Sequence, residues 1–285
     1  MPRPPINLHQ KVREVLQHTS PLPPEADRPI QHFERSLNAG LLLLNYIDDH
    51  VDPNDVYEAV YDRHLGHLRR MVLAELIESA ERFLKELASV CVDALAPYTT
   101  DNRFDKFVPK RNFIPAFVNA LSVGKALCES DTWTDNSTIN GRFATLLKDP
   151  SAANWEFLFP QSNQRPAGER ERAATLAILW QIRHNLAHNV GVITHSDAMK
   201  FRVLIGADVA HGRRLFPLTD DLRHVKRFLS ETAARTNRRV GNRLAQLLTG
   251  FHAPNPALFD AQAVANDLSQ RLAFSITIDG QVGVL

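Results

Sequence analysis

The residue pattern predicts a mostly α-helical protein: a helical bundle with a small β element and a proline-rich N-terminal arm. Leu65, Leu68, Val72, Leu76, Ala80, Phe83, Leu87 and Val90 recur every three to four residues, the period that gathers apolar side chains on one stripe of a helix. The period returns in Leu176, Leu179, Trp180 and Ile182, and again in Leu222, Val225, Phe228, Leu229, Val240, Leu244 and Leu247. Short β-branched runs at 190–194 and 201–205, and an alternating run at 274–278, supply the β element.

Taken in chain order, residues 1–30 hold Pro2, Pro4, Pro5, Pro21, Pro23, Pro24 and Pro29 around a helical candidate at 7–18. Each proline fixes φ and removes a backbone donor, so this segment reads as an arm packed on other elements. Phe33, Leu37, Leu41 and Leu44 predict a helix over 31–50, closed by the acidic turn from Asp48 to Asp55 with Pro53 inside it. The long helix over 56–95 carries a potential break at Gly66 and stops before Pro97. Its polar face pairs Glu78 with Arg82 and Glu81 with Lys85 at i,i+4.

From 98 to 165 the pattern weakens to a helix over 113–129, a polar stretch over 130–141 and the aromatic piece from Trp155, which reads as an insertion or long connection. Trp133 and Trp155 there suit either a recognition element or a satellite apolar cluster. Pro166-Ala167-Gly168 punctuates the chain before the next strong helix. Beyond it, His195-Ser196-Asp197 separates the two β-branched runs, which are expected to be extended or to form a small hairpin. Thr219-Asp220-Asp221 offers cap chemistry for a helix ending near Gly250, and the run at 274–278 is expected to pair near 192 or 203. The expected organisation is an N-terminal arm and helix over 1–55, a helical domain over 56–250 with an insertion at about 98–165, and a C-terminal extension over 251–285.

With 285 residues the chain can bury one substantial core. Lys and Arg number 33 against 32 Asp and Glu, so no global charge marks a polyanion binder and any nucleic-acid contact must be local. Cys91 and Cys128 are the only cysteines and form no CxxC pair, which speaks against a disulfide framework and a cysteine-held zinc. The longest strongly apolar run, Leu41 to Leu44, is too short to span a bilayer, and no apolar core follows Met1-Pro2-Arg3-Pro4-Pro5. A cytoplasmic protein without a membrane segment is the expectation.

Residues 181–191 concentrate the chemistry. Arg183 is a permanent cation with a planar fork of donors suited to phosphate oxygens, and His184 and His188 titrate near neutrality. On an ideal helix Arg183 and His188 lie about 140° apart, whereas His184 and His188 share a face. The Arg183-x4-His188 spacing, with polar His184 after the arginine, resembles the motif of the HEPN superfamily. The resemblance covers about residues 64–250 and implies a metal-independent endoribonuclease that needs no cofactor and works as a homodimer with two motifs facing one cleft. It further implies that His188 acts as general base on the ribose 2′-hydroxyl or general acid on the leaving 5′-oxygen, that Arg183 stabilises the phosphate, and that products end in 2′,3′-cyclic phosphate. An acidic or polar residue on the earlier helix would orient the arginine, with Glu78 preferred over Ser79 and Glu81. A toxin or antiviral role, with an antitoxin or regulatory protein as partner, is what such relatives suggest.

Three rival readings accompany it. Arg183 pairing with a carboxylate, His184 facing solvent and His188 capping the helix end would make the bundle a non-catalytic protein-interaction or RNA-binding module. His184 and His188 with His195, Asp197 or His211 have a zinc-chelating spacing, but Asn185 stands where a hydrolytic His-Glu-x-x-His motif requires glutamate. Arg223, Lys226 and Arg227 on the basic helix are candidates for RNA backbone contact, against the plainer reading of a solvated helix face, and the spacing of Phe228 looks like core.

Overall fold

The computed structural model describes residues 29–50, 58–99, 102–107, 122–128, 133–149, 153–161, 163–252, 275–278 and 281–284. The candidate helix at 7–18 and most of the proline arm lie outside this set, as do 113–121 and 129 of the helix expected over 113–129. The fold is mostly helical. Its helices are α1 (Pro29–His50), α2 (Glu58–Leu95), α3 (Val123–Cys128), α4 (Asn136–Leu146), α5 (Ala167–Asn189), α6 (His195–Ile205) and α7 (Thr219–His252), with a 3-10 turn at Asn102–Phe107.

The long periodic stripe of α2 makes it the centre of the bundle, packed against α1, α3, α4, α5 and α7. Leu76, Ile77, Leu87, Ala88 and Val92 are fully buried along it, and Phe33, Leu37 and Leu44 of α1 reach the same core. Gly66 does not break α2. Its missing side chain leaves room for Phe216, whose Cε2 would lie 2.6 Å from a Cβ at that position. At the other end, α3 approaches α2 so closely that a Cβ on Gly124 would sit 2.1 Å from the Ser89 carbonyl oxygen, and the Gly124 N–H donates to Asp93 Oδ1 at 2.7 Å. Cys91 and Cys128 are buried and form no disulfide, and burial followed by the neighbouring Cys128 pushes the Cys91 thiol far above its ordinary pKa.

Residues of 133–149 and 153–159 contribute directly to this core. Trp133, Ile139, Phe143, Leu146 and Leu147 are fully buried, which assigns Trp133 to packing rather than recognition. Asp135 caps α4 by accepting from Thr138 N–H. Arg239 of α7 donates to the Leu158 carbonyl at 3.0 Å, pairs with Glu156 at 2.8 Å and lies over the Trp155 ring. One helical turn on, Arg243 donates to the Leu147 carbonyl and pairs with Asp149.

Two expectations for the β element are corrected. Residues 201–205 are not extended but form the last turns of α6, because Thr194 and Asp197 make a reciprocal capping box and left-handed Gly206 closes the other end. Cap chemistry outweighs the local β-branched preference. The 190–194 run keeps one antiparallel bridge, Val192 to Arg214. The late run pairs with neither predicted segment; β1 (Ser275–Ile278) pairs with β2 (Gln281–Val284), Ser275 opposite Val284. Helix α7 also runs past Gly250 to His252.

Candidate functional site

Helix α5 begins directly after Pro166, whose fixed φ suits a helix entry, and buries Ala173, Leu176, Leu179 and Trp180 against the core. That seating points Arg183 at α2. Arg183 Nε lies 3.8 Å from Glu78 Oε1, and Arg183 Nη2 lies 3.8 Å from Glu81 Oε2. The preferred Glu78 and its alternative Glu81 therefore both reach the arginine. Ser79 does not, because its hydroxyl donates to the Glu75 carbonyl of its own helix. Glu81 is the buried member of the pair, and also accepts from the Trp133 N–H and pairs with Lys85.

His184 and His188 share the exposed face of α5, their ring centroids 4.5 Å apart. Partial desolvation, then the charges of His188, Lys200 and Arg183, lower the His184 pKa below the ordinary imidazole range, with Asp197 opposing. His184 is thereby kept neutral at neutral pH.

The neighbouring stripe Gln181, Asn185 and Asn189 holds the helix end to α6, a network that reading the motif alone misses. All three amides donate to Asp197: Gln181 to Oδ1 at 3.1 Å, and Asn185 and Asn189 to Oδ2 at 2.9 Å each. The Thr194 N–H and hydroxyl donate to Oδ2 as well, at 3.1 and 2.7 Å. Burial raises the Asp197 carboxyl, but these hydrogen bonds outweigh it and hold the pKa below the usual carboxylate range. The network was legible in two signals: amides every four residues on one helical face, and Thr194-x-x-Asp197 as a cap.

Asp197 is fully engaged, which removes it from the zinc set considered above. His195 stacks edge-on with His211 at 5.1 Å, and among the described residues no group of three or more His, Cys, Asp or Glu is placed to hold a metal ion. On the basic helix, Arg223 pairs with Asp220 at 2.9 Å and Arg227 with Glu231 at 3.2 Å, so both have intramolecular acidic partners. Lys226 is half-buried, and Phe228 packs against the core rather than offering a stacking face.

Helix α5 ends on Val190 in the left-handed conformation, φ 51°, a place where glycine is the ordinary occupant. A β-branched side chain there carries steric cost and, being 62% exposed, recovers little packing. Val190→Gly is expected to stabilise the fold by about 1 kcal/mol, read as a higher urea midpoint at unchanged slope.

Among the described residues no helix is long and apolar enough to cross a membrane. Comparison of the chain with protein-family models, curated proteins and solved structures finds no match.

Proposed function

We propose that the protein is a metal-independent endoribonuclease of the HEPN kind, acting as a homodimer, with Arg183, His184 and His188 as its chemical groups. The observation that carries this reading is the seat of Arg183. Two carboxylates aim the guanidinium from 3.8 Å, beyond hydrogen-bond distance, and its Nε is buried without a hydrogen-bond partner. An arginine oriented but not consumed by its partners keeps donors for a phosphate.

Beside it, one exposed face presents two imidazoles, of which His184 is held neutral. In the proposed reaction neutral His184 takes the proton of the ribose 2′-hydroxyl as the 2′-oxygen attacks phosphorus. His188, protonated, gives its proton to the 5′-oxygen as the P–O5′ bond breaks, leaving a 2′,3′-cyclic phosphate and a 5′-hydroxyl. Arg183 offsets the charge growing on the non-bridging oxygens. Arg183 and the histidines project to different sides of α5, so the α5 of a second copy completes the cleft.

Purified protein incubated in EDTA with single-stranded RNA and with DNA of matching sequence tests this. RNA cut to cyclic-phosphate ends beside intact DNA is expected; uncut RNA, or cutting that requires an added divalent ion, overturns it. The interaction-module reading draws on the same Arg183–Glu81 contact as a structural ion pair, and predicts uncut RNA.

A further inference from the structure

The polypeptide that leaves α5 folds against α2 and brings two acid-free basic segments together. One is His64 to Met71 on α2, with Arg69 and Arg70; the other is Val209 to Phe216, with Arg213 and Arg214. Leu215 N–H donates to the Gly191 carbonyl, and Ile193 N–H to the Arg213 carbonyl, so the second segment is held in place by backbone bonds.

Arg70 is only 9% exposed, and its Nη1 donates to the Leu215 carbonyl at 3.3 Å. Gly191 is required beside it, since a Cβ there would come within 2.8 Å of Arg70 Cδ. Burial, and then the charge of Arg214, push the Arg70 pKa below its ordinary value. Among the described residues no carboxylate pairs with Arg70, Arg213 or Arg214. The nearby acids are engaged elsewhere: Asp208 with Arg202, Asp220 with Arg223, and Asp221 with the Leu218 N–H. Phe216, lying against Gly66, is 54% exposed.

Two guanidiniums near enough for like-charge repulsion, with no carboxylate pairing either of them among the described residues, are a cost to the folded chain, and a phosphate anion would relieve it. An exposed ring next to such cations is the other half of a single-strand binding surface, because every base offers a face to stack. We propose that Arg213, Arg214 and Phe216, beside the buried Arg70, bind the backbone and one base of single-stranded RNA, and guide the strand to the histidine face of α5. The surface starts three residues beyond His188, where Gly191 leaves room for the Arg70 side chain. The inference rests on the reading of the chain as an RNA-cleaving protein, yet it concerns binding alone.

Fluorescence anisotropy of a labelled oligouridine, titrated with His188→Ala protein in EDTA at several salt concentrations, separates the two. Arg213 and Arg214 are exposed, so the double variant Arg213→Ala/Arg214→Ala in that background should fold like its parent. It is expected to bind about 20-fold more weakly at 0.1 M salt and to lower the salt slope by about 1.4, the value for two lost single-strand phosphate contacts. Phe216→Ala should cost about tenfold with the slope unchanged. Arg223→Ala, removing an arginine already paired with Asp220, should change affinity by less than about twofold. Equal affinity and slope for the double variant and its parent, or a parent that does not bind, overturns the proposal. Weakened binding in the double variant, with RNA left uncut by the unsubstituted protein, upholds this surface and overturns the nuclease reading instead.

Discussion

His188→Ala is expected to lower RNA cleavage in EDTA by about a thousandfold, the scale of a lost general acid, with the circular-dichroism spectrum and unfolding midpoint unchanged. The side chain stands on the exposed face of α5, stacked only on His184, so its removal opens no cavity. His184→Ala should also impair cleavage and, more tellingly, reshape its pH dependence. Because desolvation and the charges of His188, Lys200 and Arg183 depress the His184 pKa, the acid limb of the profile should lie below the ordinary imidazole range. Removing His184 should abolish that limb. Wild-type rates in the His188→Ala protein would remove His188 from the chemistry, and wild-type rates in His184→Ala would remove His184.

Asp197→Ala should be the most damaging substitution for the fold near the motif, costing about 3 kcal/mol. The carboxylate is 2% exposed and accepts from two amides and the backbone and hydroxyl of Thr194 on one oxygen, and from Gln181 on the other. Alanine would strand these donors, each buried one at a cost of about 1–3 kcal/mol unless water reaches it, and would break the cap of α6. The pH dependence follows from the sign of the shift. The folded-state pKa of Asp197 lies below the unfolded one, so its contribution is complete above the ordinary carboxylate pKa and is lost as pH falls through the folded value. Urea midpoints should therefore separate parent from variant widely at pH 7 and converge under strong acid. Identical midpoints at pH 7 would show that the network contributes nothing.

Which elements could be read from the residues follows from where their determinants lie. Helices α1, α2, α5 and α7 announce themselves because each carries its own apolar stripe, and Leu37, Leu76, Leu176 and Leu244 are all buried as their spacing demands. Helix α6 hides behind Val203 and Ile205, whose β-branched character is local, while its decisive feature is the pairing of Thr194 with Asp197 at its start. The reason for a glycine at position 66 is the close approach of Phe216, which arrives from far along the chain, and no window around Gly66 contains that information.

The candidate site divides in the same way. The shared face of His184 and His188 follows from helical spacing, and the neutralisation of Arg223 and Arg227 from acids three or four residues away. That Glu78 and Glu81 both reach Arg183, while Ser79 turns back on its own helix, depends on how α5 rotates against α2. The exposed arginines before α7 look like ordinary loop charges until Arg70 is found beneath them.

The arginine stitching of α7 to residues 147–149 and 156–158 bears on how this protein could be shortened. Arg239 and Arg243 hold that stretch by main-chain carbonyls as well as by acids, and the aromatic side chains just before it fill the same core that seats α5. A trimmed version lacking both that stretch and the aromatic segment before it would have to refill the volume of Trp133 and Phe143 and find new partners for two guanidiniums. Excision would therefore yield an unstable remnant rather than a smaller stable fold, and evolutionary loss of this stretch would require compensating changes along α2 and α7 together.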